Sequence, residues 1–359
     1  MTHDKSGPDN TSQSRRQFLR VGTTATAAAA ATIGAPAVIA SRREPIKWRM
    51  QTHWPTGVFV YETVFEDFAK RVTESTDGEL EIETHPPGSV VSTGDTLRAV
   101  RRGTLDSAFT FPAYWVGEIP VAGHLNGNLG TFDSITEMEV FMYEMGALNI
   151  IREAYAERGV YQVGPIAMGG VAIFATAPIR TMEDFRGFNI RSTGNAGRVF
   201  EKMGAAPVMI SGDELYQALQ TGVVDGAHWG GISGGFSMNF QDVTSYLMRP
   251  DLVSPTNGEV FVSKERWDEL GSDHKQVVID AVRATSTDNH TQYLYDDLQK
   301  IHDFVDEYGG EIVDMDEAVL EEMRHRSMEV VDEVSERDPD YSGRVGDLLH
   351  EFMEMTGKL

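Results

Sequence analysis

The sequence predicts an α/β protein of two lobes of related construction, followed by a helical C-terminal third. Three observations carry this reading. Strand-like and helix-like patterns alternate from residue 48 onward, a helix–glycine–strand unit recurs at a fixed offset, and helical spacing takes over after Ser272.

Trp48-Arg49-Met50-Gln51-Thr52 reads as a short first strand, with Trp54-Pro55-Thr56-Gly57 as the loop after it. Over 58–73, the apolar residues Val60, Val64, Phe65, Phe68, Ala69 and Val72 follow helical spacing. Asp77-Gly78 is a turn, and Leu80-Glu81-Ile82-Glu83-Thr84 alternates as a strand. A helix then runs over 93–102 to Gly103, and 105–110 is a strand. Such alternation calls for a largely parallel sheet.

The same pattern returns 119 residues later. Ala99, Gly103, Asp106 and Ala108 find identical partners at Ala218, Gly222, Asp225 and Ala227. Each copy is a helix closed by a glycine, then a strand carrying one Asp among small residues. Helix–glycine–strand units are common in α/β proteins, so chance similarity is the alternative. The shared register of all three parts favours a repeat. From Ser272, placed as the N-cap of a long helix, Val277, Val278, Ala281, Val282, Leu294, Leu298, Ile301, Phe304 and Val305 form apolar stripes. Residues 348–355 are again amphipathic.

The N-terminus carries an address. Ser14-Arg15-Arg16-Gln17-Phe18-Leu19-Arg20 precedes an uncharged run over 21–40, rich in Ala and Thr, that ends on small residues. Charged, apolar and small segments in that order make an export signal, and the paired arginines point to the twin-arginine (Tat) route. A retained membrane anchor is the alternative. Poverty in Leu and Phe argues for cleavage.

Beyond residue 40 there are 27 basic and 53 acidic side chains, a net charge of −26. A nucleic-acid binder needs a basic face, so that class is excluded. Only eight of the basic residues in the chain are Lys. An acidic, Lys-poor surface of this kind suits a protein kept soluble in high salt. The absence of cysteine rules out disulfides, thiolate metal sites and a cysteine nucleophile.

The most informative stretch is 181–204. Thr181 with Asp184 forms a capping box for a short helix that Gly187 stops. Phe188-Asn189-Ile190-Arg191 is a strand ending on an arginine, and a helix follows over 196–203. Arg191 thus lies at the carboxyl end of a strand, where open α/β sheets bind ligands, beside a helix N-terminus. A guanidinium there suits a carboxylate held through two parallel hydrogen bonds. A surface ion pair is the alternative reading of Arg191.

Five segments together resemble the successive motifs of the TRAP-transporter solute-receptor family (DctP type). They are 78–83, 103–106, 183–191 (Glu-Asp-Phe-Arg-Gly-Phe-Asn-Ile-Arg), 203–208 and 216–226, in the family's order between about residues 46 and 305. The resemblance implies a two-lobed, periplasmic-binding-protein-like (type II) fold, with an interlobe cleft and a long C-terminal helix spanning the lobes. It divides the chain into a signal over 1–40, lobe I over 44–163 plus about 253–275, lobe II over 164–252, and a helical region over 276–359.

The resemblance also implies a non-enzymatic, exported receptor. Such a receptor closes on a small organic acid anion and delivers it to the membrane subunits of a TRAP-type permease. By motif, Arg191 is the carboxylate clamp. Asn195, Trp54, Tyr114, Trp115, His228 and Trp229 are expected around it, although each aromatic has core packing as its alternative. A homodimer through the C-terminal helix is also allowed.

Met50-Gln51-Thr52-His53-Trp54-Pro55 and Ala113-Tyr114-Trp115-Val116-Gly117 resemble the branch that binds 2-oxo or hydroxy acids through a cation. In that branch a Gln before Met-Gly-Gly and a Glu before Trp hold the metal. Here Ala167 precedes Met168-Gly169-Gly170 and His228 precedes Trp229. Without those oxygens a hard cation has too few ligands, so no metal and no cofactor is expected. His228 is left to donate a hydrogen bond to the anion or to serve the structure.

Two other classes stay in view. Gly231-Ile232-Ser233-Gly234-Gly235 fits the G-x-S-x-G of a serine hydrolase, although no oxyanion motif accompanies it. Asn289-His290-Thr291 is a glycosylation sequon compatible with a structural cell-surface protein.

Overall fold

The computed structural model describes residues 44–125, 128–210, 212–253 and 255–359. The proposed export signal lies outside them. The chain begins with β1 (Ile46–Thr52), α1 (Glu66–Ser75), β2 (Leu80–His85), α2 (Thr96–Arg101) and β3 (Ser107–Thr110), then α3 (Ile135–Glu139), α4 (Ala147–Glu157) and β4 (Val160–Ala167). It crosses at 168–170 to lay down β5 (Val171–Ala175), β6 (Asn189–Arg191), α5 (Gly194–Lys202), β7 (Ala206–Val208), α6 (Gly212–Gln220), β8 (Gly226–His228), α7 (Ile232–Ser237) and β9 (Tyr246–Val253). It returns for β10 (Asn257–Ser263) and α8 (Lys264–Glu269), and ends with α9 (Ser272–Asp306), β11 (Glu311–Asp314), α10 (Glu317–Arg337) and α11 (Arg344–Met355).

Two sheets result. The first has the order β2-β1-β3-β10-β4, and the second β11-β9-β5-β8-β6-β7. Strands β1, β2 and β3 run parallel, as do β6, β7 and β8, while β10 and β5 run antiparallel to both of their neighbours. Each sheet is therefore mixed rather than largely parallel. Strand β4 stays in the first sheet to Ala167, past the expected crossing at 163/164, because its pairing with β10 continues to Asn257. The C-terminal region is not purely helical, since β11 joins the edge of the second sheet beside β9.

Helices cover both faces of each sheet, so a central strand such as β5 is apolar and buried along its length, whereas the edge strand β2 alternates. In the first lobe, Phe109, Val260 and Val262 pack towards α1 and α9, and Ala108 and Phe261 pack towards α4 and α11. In the second lobe, Ile173 and Ile190 pack with α5 and α10, and Phe174 and Leu247 pack with α6 and α7.

Helix α9 has 35 residues, so it runs for about 52 Å at the usual rise. It places Val278, Ala281 and Val282 in the first lobe and Phe304 in the second. Helix α10 braces the lobes too, with Val319, Met323 and Val330 in the second core and Met328 and Val331 in the first. Helix α11 is used within the chain, where Leu349, Phe352 and Met353 complete the first core. Gly271, not Ser272, occupies the N-cap of α9, and the Ser272 hydroxyl turns to Asp273 instead. The helix expected over 58–73 opens as a π-turn at Val60–Phe65 before α1.

The repeat is structural as well as sequential. Gly103 and Gly222 both take positive φ, at 72° and 71°. Asp106 receives the backbone N–H of Arg49 on β1 (2.8 Å), and Asp225 receives that of Asn189 on β6 (2.9 Å). In each lobe the Asp clips one parallel strand to the next.

Candidate functional site

Arg191 ends β6, paired to Ala227 of β8 on one side and to Val208 of β7 on the other. Its Nε donates to the Ile210 carbonyl (3.1 Å) and its Nη1 to that of His228 (3.0 Å). The guanidinium also lies over the Trp229 ring, 4.5 Å from the centroid. A side chain at position 212 would run into that indole, with a Cβ 2.7 Å from Cη2, so Gly212 makes room for it.

Burial lowers the pKa of Arg191 to about 10, still far above neutrality. Among the described residues, Arg191 forms no salt bridge, in a chain with 55 acidic side chains. The surface ion-pair reading is thereby set aside. What remains is a half-buried cation oriented by two carbonyls.

His228 and Asn195 stand beside it, both buried. The His228 ring sits edge-on to Phe200, its Nδ1 is 3.4 Å from the Ser192 hydroxyl, and its Nε2 is buried without a partner. Burial first, and the charge of Arg191 second, push its pKa down to about 3, so the ring is neutral. Asn195 lies in the first turn of α5, and its Nδ2 is likewise buried and unpartnered.

The first lobe meets this surface directly. A Cβ at Gly194 would touch that of Ala113 at 3.6 Å, and one at Gly123 would lie 2.7 Å from Asn195 Nδ2. Ala113 and Tyr114 share a short 3₁₀ turn, Pro112–Trp115. Tyr114 is half exposed and feels the Arg191 charge. His53 fills the space between Trp54 (3.8 Å between rings) and Tyr114 (5.1 Å). Its Nδ1 is buried and unpartnered, and burial lowers its pKa to about 3. Trp54 itself lies on Phe109 (4.6 Å).

The structure thus gathers Arg191, Asn195, His228 and Trp229 from one lobe, with Tyr114 on the other, while Trp54 packs into the core of the first lobe on Phe109 and meets Tyr114 through His53. Trp115 does not join them. It is 3% exposed, packs edge-on to Phe261, and donates its indole N–H to Glu259 (2.7 Å). The aromatic pair Tyr114-Trp115 splits because consecutive residues of a tight turn point to different sides. His53 and Ser192 were missed by sequence reasoning. The available signal was their position, each just past the carboxyl end of a parallel strand.

Ser233 has no catalytic surroundings. It lies in the first turn of α7, where its N–H (2.8 Å) and hydroxyl both donate to Asp297 of α9, a carboxylate rather than an imidazole. The sequon is also spoken for, since Asn289 is 5% exposed and its amide donates to the Ala167 carbonyl (2.7 Å). Among the described residues, no helix is long and apolar enough to cross a membrane.

A family model described as "Bacterial extracellular solute-binding protein, family 7" (DctP) matches residues 50–338. The chain belongs to this family. Its family and fold are those of solute-binding receptors. Among curated proteins, this family 7 chain is similar to a monocarboxylate 2-oxoacid-binding periplasmic protein of Nostoc sp., 27% identical over 240 residues. That match covers 65% of this chain and 64% of the relative, so the chain spans under two thirds of the relative's length.

Among solved structures, it is similar to a TRAP periplasmic solute binding protein of Colwellia psychrerythraea with bound calcium and pyruvate (TM-score 0.80, 20% identity, 87% of this chain and 95% of that one). It is also similar to one of Pseudoalteromonas atlantica with bound sodium and pyruvate (TM-score 0.79, 22% identity, 87% and 95%). These likenesses establish the two-lobed fold.

A cation like those in the two neighbours does not fit the residues present here. Ala167 offers only a methyl group, and its carbonyl already accepts from Asn289. The Met168 carbonyl is engaged by His290 (2.9 Å) and the His228 carbonyl by Arg191. The His228 side chain presents nitrogen where a hard cation requires oxygen.

Proposed function

We propose that this chain is the extracytoplasmic receptor of a TRAP-type secondary transporter, binding a small organic acid anion (a 2-oxo or hydroxy acid, or a dicarboxylate) and delivering it to the membrane permease. The observation that carries the reading is Arg191. A half-buried guanidinium with no salt bridge among the described residues is costly unless an anion completes it, and its proximity to Tyr114 of the other lobe supports a ligand held between the lobes.

Trp229 and Tyr114 exclude water from the ion pair and so strengthen it. Ligand reaches contacts on both lobes only when they close, and closure follows from its differential affinity for that state. The permease then reads the closed surface. Export through the Tat route, a periplasmic location and residence in high salt belong to the same reading. So does a homodimer, for which the support is the exposed Leu294, Tyr295 and Leu298 on α9.

The test is a thermal-shift screen of 2-oxo, 2-hydroxy and dicarboxylic acids on the purified protein, repeated with Arg191→Ala. A stabilising acid is expected to lose at least about a hundred-fold in affinity in the variant, as expected when one partner of a buried charge pair is removed. Equal ligand shifts in the two proteins would refute the clamp.

A further inference from the structure

Beside the Arg191 guanidinium lie buried polar groups without partners. On the Arg191 side, His228 Nε2 and Asn195 Nδ2 are buried in residues 7% exposed and have no partner. Both residues are tied to the clamp. The carbonyl of His228 holds the guanidinium, and Asn195 opens the helix that follows Arg191. The Ser192 hydroxyl can donate to His228 Nδ1, and that leaves the ring proton on Nε2. A buried donor without an acceptor is destabilising, so these groups call for acceptor oxygens on a ligand.

In the Colwellia and Pseudoalteromonas proteins a calcium or sodium ion accompanies pyruvate. Here the carbonyls of Ala167, Met168 and His228 are each engaged within the protein. An imidazole stands at position 228, and the donor set suits oxygen atoms rather than a cation.

Resting on the reading of Arg191 as the carboxylate clamp, we infer that this receptor binds a 2-oxo or 2-hydroxy monocarboxylate without a cation, with the 2-oxygen accepting a hydrogen bond from the Nε2–H of His228. Charge supports the monocarboxylate. His228 and His53 are neutral, so Arg191 balances one carboxylate and a second would be buried uncompensated.

The experiment is calorimetry with pyruvate and 2-oxobutyrate, each against its analogue lacking the 2-oxygen, propionate and butyrate. It is run in chelator-treated, sodium-free buffer with concentrated choline chloride to maintain ionic strength, then with sodium or calcium added. The expected result is 2-oxo acid binding that changes less than two-fold on adding either cation. In His228→Leu the preference for the 2-oxo acid over its analogue should fall by about ten-fold, the worth of one hydrogen bond. His228→Gln, which keeps a donor, should recover part of that preference. Binding that appears only with sodium or calcium overturns the inference, as does an unchanged preference in His228→Leu. The chelation arm uses the unaltered protein, so it decides even where a variant fails to fold. If no acid binds under any ionic condition, the carboxylate-clamp reading fails as well, and the two failures are told apart.

Discussion

Glu259 shows what burial does to one carboxyl. It sits in the middle of β10, fully enclosed, with hydrogen bonds from Trp115, Gln162 and Tyr155 that only partly offset the loss of water. Burial raises its pKa to about 7 from an ordinary 4.5. The folded state then holds its proton over a range where the unfolded chain has lost it. Its contribution to stability is complete below about pH 4.5 and disappears as pH rises through about 7. Glu259→Gln keeps the acceptor for Trp115 and removes the titration. The fall in unfolding free energy between pH 5 and pH 8 should be smaller in the variant than in the parent, by up to about 3 kcal/mol. Parallel pH profiles from denaturant titrations would contradict this. Through Trp115, the same carboxyl anchors the turn that carries Tyr114 into the cleft.

At the scale of elements, the paired helix–glycine–strand units are what place the site. In each, an Asp just before the strand clips two parallel strands in register, Asp106 to β1 and Asp225 to β6. Asp225 also receives the side-chain amide of Asn189 (2.9 Å), two residues before Arg191. Asp225→Ala leaves a strand N–H unsatisfied and should cost about 1–3 kcal/mol of stability, measured by urea unfolding. Ligand-induced stabilisation should persist in the variant, because the carboxylate orders the strand and does not reach the cleft. Its loss together with stability would assign Asp225 a direct ligand role. Asp297 does comparable work for α7, accepting two hydrogen bonds from Ser233 and so tying the second lobe to the bracing helix α9.

For the molecule as a whole, two long helices and a dense negative charge set the behaviour. Helices α9 and α10 each pack into both lobes, so relative motion of the lobes must bend or slide these braces. Ion pairs from Arg198 and Lys202 of α5 to Glu333 and Glu329 fasten the helix carrying Asn195 to α10. With 55 acidic and 31 basic side chains, self-repulsion opposes the compact state. Salt shortens the screening length from about 10 Å at 0.1 M to about 3 Å at 1 M. The melting temperature should therefore rise over that range in sodium chloride or potassium chloride alike. A flat or falling profile would show that the surface ion pairs, not the excess charge, dominate.

The sequence by itself determined whatever is written in short spacing. Each helix–glycine–strand unit, the capping box of Thr181 and Asp184, the glycine stops and the strand ending on Arg191 depend on residues close together in the chain. Backbone sterics and local hydrogen bonds decide them. The tertiary structure decided the rest. It turned Trp115 inward onto Glu259, 144 residues away, brought Asn195 against Gly123 across the lobes, set His53 beside Tyr114, and added β11 to a sheet edge beside β9. No local pattern encodes these outcomes, because each is fixed by which buried group, far along the chain, has space or a hydrogen bond to offer.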